Sequence, residues 1–140
     1  MPKKRIVLLI VTALVILFIF GQSILPQSVS ADESGWVLNK LINPLFNLFG
    51  LKPMTHHAAR KLAHVLEFTV LAFLLVPLWN SVPKAFFSGF TVAFLDESLQ
   101  LLTARGAQLQ DVWIDLLGVA LGTLLAWLLR LLMRRHEQTT

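Results

Sequence analysis

The sequence predicts an all-α membrane protein: a bundle of four transmembrane helices, with a further helix lying in the membrane interface within the first external loop. Three observations predict it. The chain is 56% hydrophobic and only 14% charged, whereas soluble domains carry about 25% charged residues, so a water-facing surface is hard to build. Its mean hydropathy is +0.70. The apolar residues also fall into four stretches of about 20, the length that crosses a hydrocarbon core of about 30 Å.

The first stretch runs without a charge from Ile6 to about Leu25. A basic start, an apolar core and Val29-Ser30-Ala31 before Asp32 also fit a cleaved signal peptide. The length of the stretch and the three spans after it favour a retained helix. Residues 26–56 form the one long connection. Within it Asn39, Lys40, Asn43 and Asn47 recur on one side of a helix, and Leu38, Leu41, Ile42, Leu45, Phe46 and Phe49 on the other. That pattern suits a helix in the membrane interface; an ordinary loop helix packed on the spans fits equally. Pro44 breaks this element in two, with Asn43 capping the second piece.

The second span is expected from His57 to Trp79, with Pro77 near its far end. A turn over Asn80–Pro83 leads to the third, Lys84 to about Thr103. Pro83 falls where a missing N–H does no harm. After the loop Ala104–Gln110, the fourth span runs from Asp111 to about Leu132. Asp111 stands at its N-terminus, where the helix dipole favours an anion. The layout is therefore residues 1–25 as first span, 26–56 as external connection, 57–132 as three-helix core and 133–140 as cytoplasmic tail.

The net charge is +4 and the sequence pI about 10.0, a balance that in a soluble protein suggests nucleic acid. Here the bases cap apolar segments: Lys3, Lys4 and Arg5 at the start, Arg130, Arg134 and Arg135 near the end. They read as topology signals, with both termini cytoplasmic, and nucleic acid is not an expected partner. Arg60, Lys61 and Arg105 fall on the outer side and need another explanation. The absence of cysteine excludes disulfides and thiol chemistry. Gly-rich phosphate loops, nucleophile elbows and zinc motifs are also absent.

The remaining charges carry the information. Arg60, His64 and Glu67 are spaced i, i+4, i+7 and share one face of the second span. Asp96 and Gln100 are spaced i, i+4 on the third, with Glu97 adjacent. Asp111 and Asp115 are spaced i, i+4 on the fourth, and Gly118 and Gly122 continue that stripe. At about 1.5 Å rise per residue, Glu67 and Asp96 each lie about 10 Å inside the outer end of their helices, and Asp115 about one turn down. Such groups cost about 2.5–3.5 kcal/mol each if they face lipid. They should face one another, a water-filled cleft or a cation. Two readings stay open: a functional site, or a structural network in which Arg60 and Arg105 pair with the carboxylates. Gly118-x-x-x-Gly122 reads as a close helix contact. Trp36, Trp79 and Trp113 fall near predicted interfaces, as in an aromatic belt.

The run Arg60-Lys61-x-x-His64-x-x-Glu67-Phe68, then Asp96-Glu97-x-x-Gln100, then Arg105-Gly106-Ala107 and Asp111-x-x-x-Asp115-x-x-Gly118 resembles the VanZ-like family in order, spacing and placement. These are small bacterial membrane proteins named after a teicoplanin-resistance protein, and the likeness covers about residues 55–125. The resemblance implies a cell-envelope role, with lowered susceptibility to teicoplanin-like lipoglycopeptides in some members.

Three functions are therefore weighed. The first is an envelope-modifying protein acting on a membrane lipid or lipid-linked component. Glu67, Asp96, His64 and Asp115 are its catalytic candidates, and Arg60, Arg105, Glu97, Gln100 and Asp111 its substrate-binding candidates. A divalent cation is the cofactor such a set admits, with Glu67, Asp96 and Asp115 as ligands. The second is a non-enzymatic binding or accessory protein whose charges hold the bundle together. The third, a proton-coupled transporter, is weaker, because the acidic groups gather on one side and the inner halves of the spans are almost purely apolar.

Overall fold

The computed structural model describes residues 3–24, 35–36, 38–102 and 111–139. All regular structure among them is helical. Helix α1 spans Lys3–Ile24. A single π-turn, Leu38–Ile42, runs into a short helix α2, Asn43–Leu48. Three long helices follow: α3, His56–Trp79; α4, Val82–Leu102; and α5, Asp111–Thr139. The four stretches expected as spans are thus helical within a few residues of their expected bounds, except that α5 continues past Leu132.

Local chemistry explains the ends. Thr55, in extended backbone, caps α3 by accepting a hydrogen bond from the Ala58 N–H at 3.2 Å, which satisfies an otherwise orphaned donor. Asn80 ends α3 in the left-handed region at φ 51°, a conformation Asn tolerates. Pro83 then sits in the first turn of α4, where no intrahelical donor is needed. The two-residue link folds α4 back along α3. Arg130, from α5, closes the corner: its Nη2 donates to the Val76 carbonyl at 3.1 Å and to Asn80 Oδ1 at 3.0 Å.

The connection before α3 differs from expectation in one respect. Asn43 does not cap the second piece. The cap position is Ile42, which offers no side-chain bond, and Asn43 Oδ1 instead accepts from the Met54 N–H at 2.8 Å. That bond ties α2 to the segment leading into α3. Leu38 is buried, while Leu45, Leu48, Phe49 and Leu51 are exposed.

The core lies between the long helices. Phe68, Leu71, Ala72, Leu75 and Val76 are all buried on α3, at spacings that define one helix face. They meet Ala85 and Ala93 of α4, Val119 and Ala126 of α5, and Ile19 of α1. The most extensive contact is between α3 and α5, and α1 packs on α3 and α4. Two glycines explain the first. A methyl group at Gly118 would lie 2.5 Å from the Val65 carbonyl oxygen, and one at Gly122 would collide with the Thr69 carbonyl. The helices approach as backbone against backbone, as small residues allow in membranes.

The outward faces are apolar nearly throughout. Leu14, Leu17, Leu66, Phe87, Trp113 and Leu132 are each more than half exposed, a surface unsuited to water. Among the described residues three helices are long and apolar enough to cross a membrane: Lys3–Ile24, His56–Trp79 and Asp111–Arg135. The protein is a membrane protein on this ground. Helix α4 has 21 residues but is less apolar, since it carries Asp96, Glu97 and Gln100.

Candidate functional site

Antiparallel packing gathers the polar residues of four helices at one end of the bundle. His64 lies in the third turn of α3, Asp115 in the second turn of α5, Asp96 and Gln100 near the end of α4, and Ser23 near the end of α1. The opposite end holds Arg130 against the α3–α4 corner.

At the centre, His64 Nδ1 and Asp115 Oδ1 lie 3.1 Å apart, joining α3 to α5. Asp115 is wholly buried. Its second oxygen, Oδ2, has no hydrogen-bond partner among the described residues. Asp96 is also wholly buried. The Ser23 hydroxyl donates to Asp96 Oδ1 at 2.5 Å, and Gln100 Nε2 donates to Asp96 Oδ2 at 2.9 Å and to Ser23 Oγ at 3.2 Å. One side-chain ligand atom from each of His64, Asp96 and Asp115 lies within 4.8 Å of the others. Buried charges persist only when paired, hydrogen-bonded or metal-bound, so this concentration is costly to assemble and is a functional candidate on that account.

Glu97 is the least satisfied member. It is 2% exposed, and neither carboxylate oxygen has a hydrogen-bond partner among the described residues. It lies within electrostatic reach of Asp111, Asp115 and Asp96. Glu67 stands almost one turn beyond His64 on α3, within electrostatic reach of His64, Asp96 and Asp115, but it is only partly buried. The trio that shares a ligand-sized space takes His64 where the sequence pattern put Glu67. Helix geometry accounts for the exchange: the i+3 step from 64 to 67 turns Glu67 about 60° away from the residue facing α5.

At the rim, Lys61 Nζ meets Asp111 Oδ1 at 3.5 Å. Lys61, and not Arg60, is thus the base paired with a carboxylate among the described residues. Arg60 is half-buried and lines a small cavity with His57, Lys61, His64, Gln100, Asp111, Ile114 and Asp115. Its volume of ≈ 20 Å³ suffices for about one water or one small ion. Arg105 lies outside the described residues.

Sequence reasoning missed Ser23, which brings the first helix into the site. The signal was present: Gly21-Gln22-Ser23 is a polar step closing an otherwise apolar stretch, at the end of α1 that meets the end of α4. Thr69 was also missed. Its hydroxyl donates to the Val65 carbonyl at 2.6 Å and to the Gly118 carbonyl at 3.2 Å, stitching α3 to α5 just below His64.

Comparison with known proteins adds two findings. The profile of the VanZ/LLP1 family matches residues 6–130. Over 62 residues the chain is 37% identical to YwnJ of Bacillus subtilis (strain 168), an uncharacterized membrane protein; the match covers 44% of this chain and 44% of that one. The match thus spans less than half the length of that relative. No solved structure matches the chain.

Proposed function

The chain belongs to the VanZ/LLP1 family, and on that premise we propose that it is a multi-pass cell-envelope protein whose polar cleft, in the outer leaflet, engages the head of a membrane lipid or a lipid-linked cell-wall component. The observation that carries this reading is the convergence of His64, Asp96 and Asp115 in one buried space beside a small cavity rimmed by Arg60 and Lys61. Bases at a rim suit an anionic headgroup, and a partly buried imidazole–carboxylate couple suits proton transfer to whatever enters.

The proposed topology has four spans with both termini cytoplasmic. In its support, α4 is 21 residues long, about 30 Å at 1.5 Å per residue. The groups that lower its hydropathy, Asp96, Glu97 and Gln100, are all buried. Lys3, Lys4 and Arg5, with Arg130, Arg134 and Arg135, then face the cytoplasm as the distribution of bases requires. In this reading α2 and its exposed Leu45, Leu48 and Phe49 lie on the outer membrane interface.

A second reading has its own observation. Asp96 is hydrogen-bonded at both oxygens, by Ser23 and Gln100, as a structural fastener between α1 and α4 would be. One experiment separates the two. A deletion strain is complemented with wild type or Asp96→Asn, and protein level and susceptibility to a lipoglycopeptide and a plain glycopeptide are measured together. The functional reading expects normal accumulation with a selective rise in lipoglycopeptide susceptibility. Loss of the protein from the membrane, or unchanged susceptibility at equal level, contradicts it.

A further inference from the structure

We propose that His64, Asp96 and Asp115 hold a divalent cation, of the Mn²⁺ or Zn²⁺ kind, at the floor of the cleft. The inference rests on reading this cluster as a functional site, and it names the partner that completes it.

Three observations carry it. The first is the donor set. One imidazole and two carboxylates from three different helices offer atoms within 4.8 Å of one another. A cation with bonds of about 2.0–2.2 Å keeps its ligands about 3–4.4 Å apart, so a contraction of a few tenths of an ångström closes the site. Mixed nitrogen and oxygen donors suit Mn²⁺ and Zn²⁺ better than Ca²⁺, which takes oxygens alone.

The second is the unspent valence. Asp115 is 0% exposed and its Oδ2 is without a hydrogen-bond partner among the described residues. Leaving a buried polar atom unsatisfied costs about 1–3 kcal/mol, and more for a charged one. A bound dication supplies a partner for Oδ2.

The third is the support around the donors. Ser23 and Gln100 each donate a hydrogen bond to Asp96. Such donors fix the carboxylate's orientation, as outer partners do for metal-ligating carboxylates. The cavity of ≈ 20 Å³ borders His64, Gln100 and Asp115 and gives room for about one exchangeable water.

The test uses the full chain purified in detergent and stripped with a chelator. Mn²⁺ is titrated in, and its free signal is followed by electron paramagnetic resonance. Mn²⁺ is the probe because exposed histidines such as His57 compete weakly for it. The expected result is one Mn²⁺ per chain, with affinity at least tenfold weaker in Asp115→Asn and His64→Gln. Ser23→Ala, which leaves all three ligands in place, should weaken binding by about tenfold. That variant keeps the inference testable if the ligand variants fail to fold. Arg134→Gln, at the opposite end of the bundle, should bind as wild type does. Folded wild type that takes up no Mn²⁺ overturns the inference. So does binding that neither ligand variant nor Ser23→Ala weakens. The two readings fail separately. A chain that binds no cation while Asp96→Asn still raises lipoglycopeptide susceptibility ends the cation inference alone. Cation binding with envelope phenotypes unaffected by loss of the ligands supports the cation and ends the proposed function.

Discussion

The seam between α3 and α5 and the seam between α1 and α4 are built by opposite means. The first works by omission: at Gly118 and Gly122 there is no side chain, and a methyl group would strike the Val65 and Thr69 carbonyls. The second works by addition, through hydrogen bonds among Ser23, Asp96 and Gln100. Lipid tails are as apolar as leucine, so helices in a membrane gain little from burying apolar surface against each other. Close packing and polar bonds remain; the first seam adds bonds such as Thr69 to the Gly118 carbonyl to a backbone contact, whereas the second depends on its bonds. The difference predicts how each fails. A packed seam meets a new side chain with a backbone that cannot yield, whereas a bonded seam loses one modest contact at a time. The site stands where the two meet, since His64–Asp115 crosses the first and Asp96 belongs to the second.

The largest effect is expected at the packed seam. Gly122→Leu should cost several kcal/mol, about 3–5, in the range of severe overpacking, and folded protein in membranes should fall at least tenfold. Accumulation near wild type would show that the seam opens more easily than its geometry implies. A smaller loss is expected at the bonded seam. Ser23→Ala should lower stability in detergent by about 1 kcal/mol, the upper part of the range for hydrogen bonds between membrane helices. A double-mutant cycle with Gln100→Ala should give a coupling of about 0.5 kcal/mol or more, because the two donors bond the same carboxylate and Gln100 also donates to Ser23. Strict additivity would mean that they act apart. The smallest effect belongs to the rim. Lys61→Ala removes an ion pair whose lysine side chain is 36% exposed, worth about 0.5 kcal/mol after screening. Thermal unfolding at low and high salt should show the difference shrinking as salt rises.

The sequence made the helices legible because membrane spans have a strong signature: length, absence of charge and bases at the ends. It made the site legible in outline because i, i+4 spacing puts Asp96 with Gln100, and Asp111 with Asp115, on single faces whatever the packing. What it could not give was rotation about each helix axis. His64 and Glu67 share a broad face, and only the contact with α5 decides that His64 meets Asp115. In the same way Arg60 and Lys61 are neighbours in sequence about 100° apart on the helix, and the position of α5 gives Asp111 to Lys61. Ser23 was missed for another reason: Gly21-Gln22-Ser23 marks a polar step, but which of its side chains enters the site depends on the depth at which α1 ends beside α4. Hydropathy also ranks α4 below the other long helices, because it counts Asp96, Glu97 and Gln100 as though they faced the surroundings, when all three are buried.

The most direct test of the account is whether the first helix closes the polar cluster. The chain contains no cysteine, so paired substitutions report without background. Ser23→Cys with Gln100→Cys should be joined rapidly by a short thiol crosslinker in native membranes, while Ser23→Cys with Leu101→Cys, whose position on α4 is exposed, should not. Equal or reversed crosslinking of the two pairs would contradict the account, since Asp96 would then lie outside the shelter of α1.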